Sequence, residues 1–422
     1  MKKIVRNALQ VVLVSLLVVD SAFATDGYFL TGYGTKQQGQ GGAGIAHPAD
    51  SLAGATNPAG LYLAGNRTDI GLTLFRPNRS ATLSDSGLPT QYGVDGTYNA
   101  NRVKNFELPE LGYSRISNPK LSLGVALYGN GGLNTSYTKP IPLLGSTRGG
   151  VDLEQLFISP TLSYKLGKHN AIGVAANIAY QRFSAEGLQN FASANSSLYP
   201  ADVTNTGHAN SYGAGVRVGW LGELNRYLSV GATYQTKTHA SAFSRYKGLF
   251  AEGGKFDIPA NFGGGASVKI APQARLFVDE ERILYSGVKA VHNSDANQTL
   301  LGTSNGPGFG WHSINVFKAG LDYDLSHALT VRGGYNHGGL PFDGTQAFFN
   351  VLAPAVVQNH LHLGTTFSLA NGKEINLAYI HAFSKTLNAT NSIPTTAGGG
   401  NISLNMDQNS FQVSFAWNRN KK

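Results

Sequence analysis

The chain has 422 residues and a formal charge of +9, with 53 Gly, 19 Tyr, 21 Phe, two Met, no Cys and only 14% charged residues. Zero Cys excludes a disulfide framework and a thiolate site. After residue 24 the Lys and Arg are scattered, with no run beyond Lys421-Lys422, which argues against a nucleic-acid or anionic-lipid stripe.

Taken in chain order, the first element is a leader. Lys2, Lys3 and Arg6 precede an apolar-rich run, Ala8 to Val19, that stops at Asp20 before Ala22-Phe23-Ala24. A basic n-region, a short apolar core and a small-x-small site read as a secretory signal peptide over 1–24, cleaved after Ala24. The run is too short for a membrane anchor, which needs ~20 apolar residues. Its removal takes away three cations and one anion, so the charge falls from +9 to +7. No later stretch is apolar for long enough to be a membrane helix, so any membrane span consists of strands.

Residues 25–66 do not alternate. They are rich in Gly and Ala, contain Pro48 and Pro58, and carry Tyr28, Phe29, Leu30, Ile45, Leu52, Leu61 and Tyr62. That is too apolar for a solvating tail. A compact plug inside a lumen accounts for both the small and the apolar residues. A short helix is expected through Asp50 to Ala55.

From residue 67 onward, strict alternation recurs. Ile70, Leu72 and Leu74 alternate with Asp69, Gly71 and Thr73. Tyr212, Ala214, Val216, Val218 and Trp220 alternate with Gly213, Gly215, Arg217 and Gly219. The chain closes with Phe411, Val413, Phe415 and Trp417. Such a period marks strands with two unlike faces. Three features favour a transmembrane β-barrel over a soluble sandwich. The segments are long enough to cross a bilayer at a tilt, aromatic residues sit at their ends, and the opposite face is polar as a lumen is. Only a closed sheet leaves no unpaired edge in lipid. Fourteen strands are expected: 67–79, 102–116, 119–129, 151–166, 169–185, 208–223, 226–240, 259–270, 273–290, 311–325, 327–336, 356–370, 373–387 and 404–418. Short joins alternate with long loops. The fold expected is therefore an all-β transmembrane antiparallel barrel over 67–422, with a plug over 25–66.

Ala55-Thr56-Asn57-Pro58-Ala59-Gly60 ends the Gly-rich segment. Further on come Leu329-Thr330-Val331-Arg332-Gly333-Gly334-Tyr335 with Leu340-Pro341-Phe342, then Asn359-His360-Leu361-His362-Leu363-Gly364, and Asn376-Leu377-Ala378-Tyr379. In this order, these motifs and the barrel pattern resemble the FadL family of outer-membrane transporters, across essentially the whole mature chain. Asn57, Pro58 and Ala59 form the hatch motif. The resemblance implies a Gram-negative outer-membrane location and a hatch closing a fourteen-stranded barrel. It also implies a hydrophobic substrate, either a long-chain fatty acid or a hydrocarbon, bound near the extracellular side and reached by the mature N-terminus. The family's third strand is kinked inward to make a lateral opening. The matching strand is 119–129, followed by Gly129-Asn130-Gly131-Gly132-Leu133, and Gly129, Gly131 and Gly132 suit such a bend.

An apolar solute crosses a lipopolysaccharide leaflet poorly, and a water-filled pore does not suit it. A greasy groove, a pocket and sideways release into the membrane solve this passively, with no cofactor. Tyr28, Phe29, Leu30 and Tyr33 are candidates for a gate. A carboxylate needs a cation in an apolar pocket; by alternation Arg217, Lys269 and Lys318 face the lumen. Loop residues Phe191, Leu198-Tyr199, Leu249-Phe250, Phe348-Phe349 and Val351-Leu352 are candidates for an outer capture groove or for contact with lipid and lipopolysaccharide. No hydrolase, metalloprotease or phosphate-loop motif is present, so enzyme activity is not expected. Two alternatives remain: a general or specific diffusion porin, and an outer-membrane hydrolase. His360 and His362 share a face and lack a third ligand, so no metal is expected. The expected partners are the hydrophobic substrate, outer-membrane lipid and the barrel assembly machinery, with no nucleic acid; the chain is expected to be a monomer.

Overall fold

The computed structural model describes residues 25–418. The leader expected over 1–24 and the last four residues lie outside the described residues. Fourteen antiparallel strands form the wall: β1 (Arg67–Ser84), β2 (Phe106–Asn118), β3 (Leu121–Pro140), β4 (Arg148–Leu166), β5 (Asn170–Glu186), β6 (Ala209–Glu223) and β7 (Leu228–Gln235). The remainder are β8 (Asn261–Ala271), β9 (Ala274–Ile283), β10 (Ile314–Ser326), β11 (Leu329–Gly338), β12 (Asn359–Ser368), β13 (Lys373–Ala389) and β14 (Asn401–Asn418). Each strand pairs with its sequence neighbour. β14 pairs with β1 from Asn418↔Arg67 to Asn401↔Ser84, which closes the barrel. Joins of two to four residues lie at one end and longer loops at the other.

The alternation is physical. Ile70, Leu72, Leu74, Ile178, Val218, Ile270, Leu363 and Val413 point outward and are exposed. Between them Asp69, Thr73, Asn177, Arg217 and Gln412 point inward and are buried. An apolar belt turned outward is favourable against lipid and unfavourable against water. No helix among the described residues is long and apolar enough to cross a membrane.

At the long-loop end the pattern inverts without a break in register. Ala81, Leu83, Ile402 and Leu404 are buried inside, while Thr82, Ser84, Ser403 and Asn405 face out. Here the outer face meets water and the inner face meets the loop core. The apolar-outward signal stops where the ladder does not, so β1 runs past residue 79 and β13 and β14 shorten the join expected over 388–403. β3 likewise continues through the expected break at residue 129 to Pro140.

Residues 25–66 lie inside the barrel as a plug would. Thr25–Asp26 and Phe29–Leu30 make a tight hairpin. Thr35–Gly39 is a short helix absent from the sequence expectation. The helix expected over Asp50 to Ala55 forms at Ala53–Thr56, one turn preceding the turn Pro58–Gly60. Asn57 is fully buried. Its Oδ1 accepts from Ala59 N (3.1 Å), and its Nδ2 donates to Ile45 O (2.8 Å) and to Trp220 O on β6 (3.0 Å). The side chain fits because β6 offers Gly219, where a Cβ would lie 1.9 Å from Asn57 Oδ1. Buried ion pairs add further anchors. Arg67 reaches Asp69 and Glu374 at 2.8 Å each, and Lys36 reaches Glu374 at 2.5 Å. Asp279 on β9 accepts from Gly44 N and Ile45 N.

Candidate functional site

The wall is interrupted between β2 and β3. The β2–β3 ladder runs from Asn118↔Leu121 to Glu110↔Tyr128 and then stops. Beyond it, Phe106–Pro109 pairs only with β1, while Gly131 to Ser136 pairs with β4. Pro109 has no N–H for a ladder. On the facing strand β3 bulges: Gly129 pairs with Leu156 and Gly131 with Gln155, which leaves Asn130 as the extra residue. Asn130 turns inward, donates to Gln155 Oε1 (2.9 Å) and accepts from the Tyr33 hydroxyl (3.0 Å). Gly131 has φ +149, and a Cβ there would stand 1.7 Å from Tyr28 O. The hairpin of residues 25–30 crosses the bulge at this point, with Phe29 opposite Gly131 and Gly132 N donating to Tyr28 O (3.1 Å).

A cavity of about 570 Å³ occupies the gap, within the ~300–1,000 Å³ typical of small-molecule sites. Its lining includes the buried lumen residues Thr25, Arg79 and Leu153 together with the exposed wall residues Glu107, Pro109 and Glu154. The cavity therefore passes from the lumen to the outer face of the barrel. Leu30, Phe106, Leu108 and Leu133 make its sides apolar.

A second, narrow cavity of about 40 Å³ lies among the loops, lined by Phe183, Phe191, Leu249, Phe250, Phe309 and Phe349 with other apolar residues. It draws on several of the loop clusters singled out in the sequence, while Leu198 and Tyr199 are exposed on the surface.

The two cavities are neighbours along the chain, Val151 lining one and Leu153 the other, and likewise Leu352 and Ala353. Between them stands an aromatic partition. Phe250 packs on Phe256 (ring centroids 5.0 Å), and Tyr28 packs on Phe256 (6.1 Å), Tyr285 (5.2 Å) and Trp311 (5.8 Å). These offset and edge-on geometries are the attractive ones for π-systems. Two of the polar tips are satisfied, while the buried Tyr28 hydroxyl has no hydrogen-bond partner among the described residues. Tyr285 donates to Asp26 O (2.6 Å) and accepts from Tyr28 N, and Trp311 Nε1 donates to Asn350 Oδ1 (2.7 Å).

The residues singled out in the sequence separate into two groups. Leu30 lines the wall cavity, while Tyr28 and Phe29 form the partition. Arg217 is buried in the wall and donates to Thr56 O (3.1 Å) and Gln235 Oε1 (2.7 Å). Lys318 pairs with Glu281 at 2.8 Å. Lys269 is half-buried at the short-turn end, beside Tyr227. None of the three cations lines either cavity. His360 and His362 are buried, bonding Asn336 Oδ1 and Gln38 O, and no cluster of three metal-ligating side chains exists among the described residues. Arg79, which does line the wall cavity, was missed. It was legible only as the last inward position of the first strand, in phase with Arg67, Asp69 and Thr73.

Comparison with solved structures gives the same architecture. The toluene transporter TodX of Pseudomonas putida superposes with a TM-score of 0.68 at 17% identity, over 92% of this chain and 99% of that one. A Pseudomonas aeruginosa FadL homologue gives 0.69 at 15% identity, over 93% and 100%. The Ralstonia pickettii toluene transporter TbuX gives 0.64 at 16%, over 92% and 98%. No curated protein sequence matches the chain. The family model described as outer membrane protein transport protein (OMPP1/FadL/TodX) matches residues 11–420. The chain belongs to that family, and with its closed fourteen-stranded barrel it is an outer-membrane transporter of hydrophobic compounds.

Proposed function

We propose that this transporter moves long-chain fatty acids or hydrocarbons passively from the loop cavity, past the Tyr28–Phe29 partition, into the wall cavity, and releases them sideways into the membrane. The observation that carries this reading is the wall cavity itself. It is lined on one side by buried lumen residues and on the other by exposed wall residues, at the point where the β2–β3 ladder stops. An apolar solute leaving there stays out of water throughout, so the transfer is favourable without an energy source. Tyr28, Phe29 and Leu30 act as the gate, because they sit between the two cavities and belong to the segment nearest the N-terminus.

The test is uptake of labelled oleate and labelled toluene by cells lacking their own transporter. Wild-type protein is compared with a variant from which Asn130 is deleted, which restores an unbulged β3. Uptake by the wild type and a severalfold loss in the deletion support sideways release. Equal uptake by both, in correctly inserted protein, refutes it. A large steady ion conductance from the wild type would instead favour a diffusion porin.

A further inference from the structure

Three basic side chains converge on one carboxylate on the outer face of the wall, in the loop between β7 and β8. Thr238 and Ile258 pair antiparallel across that loop, with N–O distances of 2.9 and 3.0 Å, and both are fully buried. Side chains alternate along a paired segment. The neighbours of this pair therefore face outward, Lys237 and His239 on one arm, Lys255 and Asp257 on the other, while Phe256 turns into the core. His239 also pairs with Ala214 of β6, in the lipid-facing row of Tyr212, Val216 and Val218. Lys237 Nζ, His239 Nδ1 and Lys255 Nζ lie 3.6, 3.5 and 3.6 Å from the single oxygen Asp257 Oδ2. The carboxylate beneath them is 5% exposed, and its Oδ1 accepts from Ala240 N (2.9 Å). The basic side chains above it remain 35%, 68% and 38% exposed.

Asp257 gathers these groups without saturating them. The distances exceed the ~2.7–2.9 Å of a close charge-assisted hydrogen bond. Two ammonium groups share one carboxylate, so the cluster keeps one positive charge before the imidazole is counted. Lys237 Nζ also donates to Gly287 O (3.2 Å), which fixes its position. On the adjoining strand β9, Glu280 and Arg282 face the same side, opposite Gly264 and Phe262 of β8, and balance each other. The height of the cluster is set by its neighbours. Tyr212, Tyr234 and Phe262 end the apolar belt here and are 65%, 44% and 45% exposed. Such rings mark the level of lipid head groups. The basic side chains stand just beyond them, toward the long loops, which are the extracellular ones in bacterial barrels.

We infer that Lys237, His239 and Lys255 hold the phosphate group of a glycolipid in the outer leaflet, whose acyl chains lie along the exposed Val216 and Val218. Ammonium groups bind phosphate as point charges, and three nitrogens within 3.6 Å of one oxygen can reach a single phosphate together. Free inorganic phosphate offers the same chemistry but has no chains to hold it beside the aromatic rings. The site lies on the β6–β8 sector, away from the gap between β2 and β3, and does not depend on the transport reading.

The experiment is native mass spectrometry of the protein purified from outer membranes in a nonionic detergent. It is titrated with bisphosphorylated lipid A, with the same lipid stripped of both phosphates, and with inorganic phosphate. The wild type should bind the phosphorylated lipid about tenfold more tightly than the stripped one. Lys237→Gln with Lys255→Gln should bring the two affinities within about twofold. Lys104→Gln with Lys385→Gln, which removes two exposed cations elsewhere on the barrel, should leave the preference intact. Equal binding of the two lipids by the wild type overturns the inference. So does a preference that survives the Lys237 and Lys255 substitutions, or one that the control pair abolishes as well. Inorganic phosphate at equal concentration should not displace the lipid; displacement identifies a free-anion site and overturns the lipid assignment. Should the Lys237 and Lys255 variant fail to insert, adding Asp257→Asn removes the carboxylate it leaves unpaired, and the same comparison decides.

Discussion

Gly131→Ala tests whether the partition is a gate. In the wild type Gly131 has φ +149, a region that favours glycine, and its Cα faces Tyr28 O across the hairpin–bulge contact. A methyl group there would sit 1.7 Å from that oxygen, so Tyr28 must move by more than an ångström or β3 must change its bend. The closed arrangement then carries about 1–3 kcal/mol of backbone strain and loses the Gly132 N–Tyr28 O bond, roughly 1 kcal/mol. Opposing this, Tyr28 keeps its ring contacts with Phe256, Tyr285 and Trp311, each about 0.5–1.5 kcal/mol. The two sums are of the same size, so closed and open populations become comparable. The chain supplies its own reporter. It has three Trp; Trp220 and Trp417 lie on the lipid-facing side of the wall, and Trp311 is fully buried in the partition. In a Trp220→Phe, Trp417→Phe background, acrylamide should quench Trp311 weakly in the parent and severalfold more strongly after Gly131→Ala. Unchanged quenching, with the barrel still heat-modifiable, refutes the claim that this contact holds the partition shut.

Three further outcomes are expected. Asn57→Ala removes three buried hydrogen bonds and should destabilise hatch docking by about 2–5 kcal/mol; hydrogen exchange should rise in residues 45–60 and not in β11–β14. Lys318→Met leaves the largely buried Glu281 without its partner, a loss of up to about 3 kcal/mol that Glu281→Gln should relieve, and thermal unfolding of the single and double variants measures both. Asp295, in the loop between β9 and β10, has its carboxyl pushed up to about 6, chiefly by burial. The folded loops therefore bind the proton more tightly than the unfolded chain, so their packing strengthens as pH falls through 6 and weakens as it rises. Protection factors of the loop amides, corrected for the intrinsic pH dependence of exchange, should be higher at pH 5 than at pH 7.5, and Asp295→Asn should remove that difference.

Much of the architecture was legible because lipid imposes a simple rule on a barrel wall. Apolar side chains must alternate outward for as long as the strand lies in hydrocarbon, so Ile70-Leu72-Leu74 and Phe411-Val413-Phe415 announced themselves. The strand ends did not. At Ala81–Leu83 and Ile402–Leu404 water replaces lipid outside, apolar residues turn inward, and the pattern reverses while pairing continues. The Gly-rich run at 129–132 marked a place where β3 could bend, but the bulge depends on Asn130 finding Gln155 and Tyr33 from distant parts of the chain.

The site was harder to read for the same reason. Alternation tells which cations face inward, and Arg217, Lys318 and Arg79 all do. Which of them meets a carboxylate depends on partners contributed by other elements. Glu281 on β9 neutralises Lys318 on β10, Thr56 and Gln235 hold Arg217, and Arg79 is held by two carbonyls, an amide and the Phe106 ring beside a cavity. The sequence by itself determined the closed sheet, its approximate strand count and the separate N-terminal segment, because these follow from the period and composition of local stretches. Only the tertiary structure decided where the β2–β3 ladder stops, how residues 25–66 pack inside the barrel and which inward charges meet a carboxylate, because each depends on contacts between residues far apart in the chain.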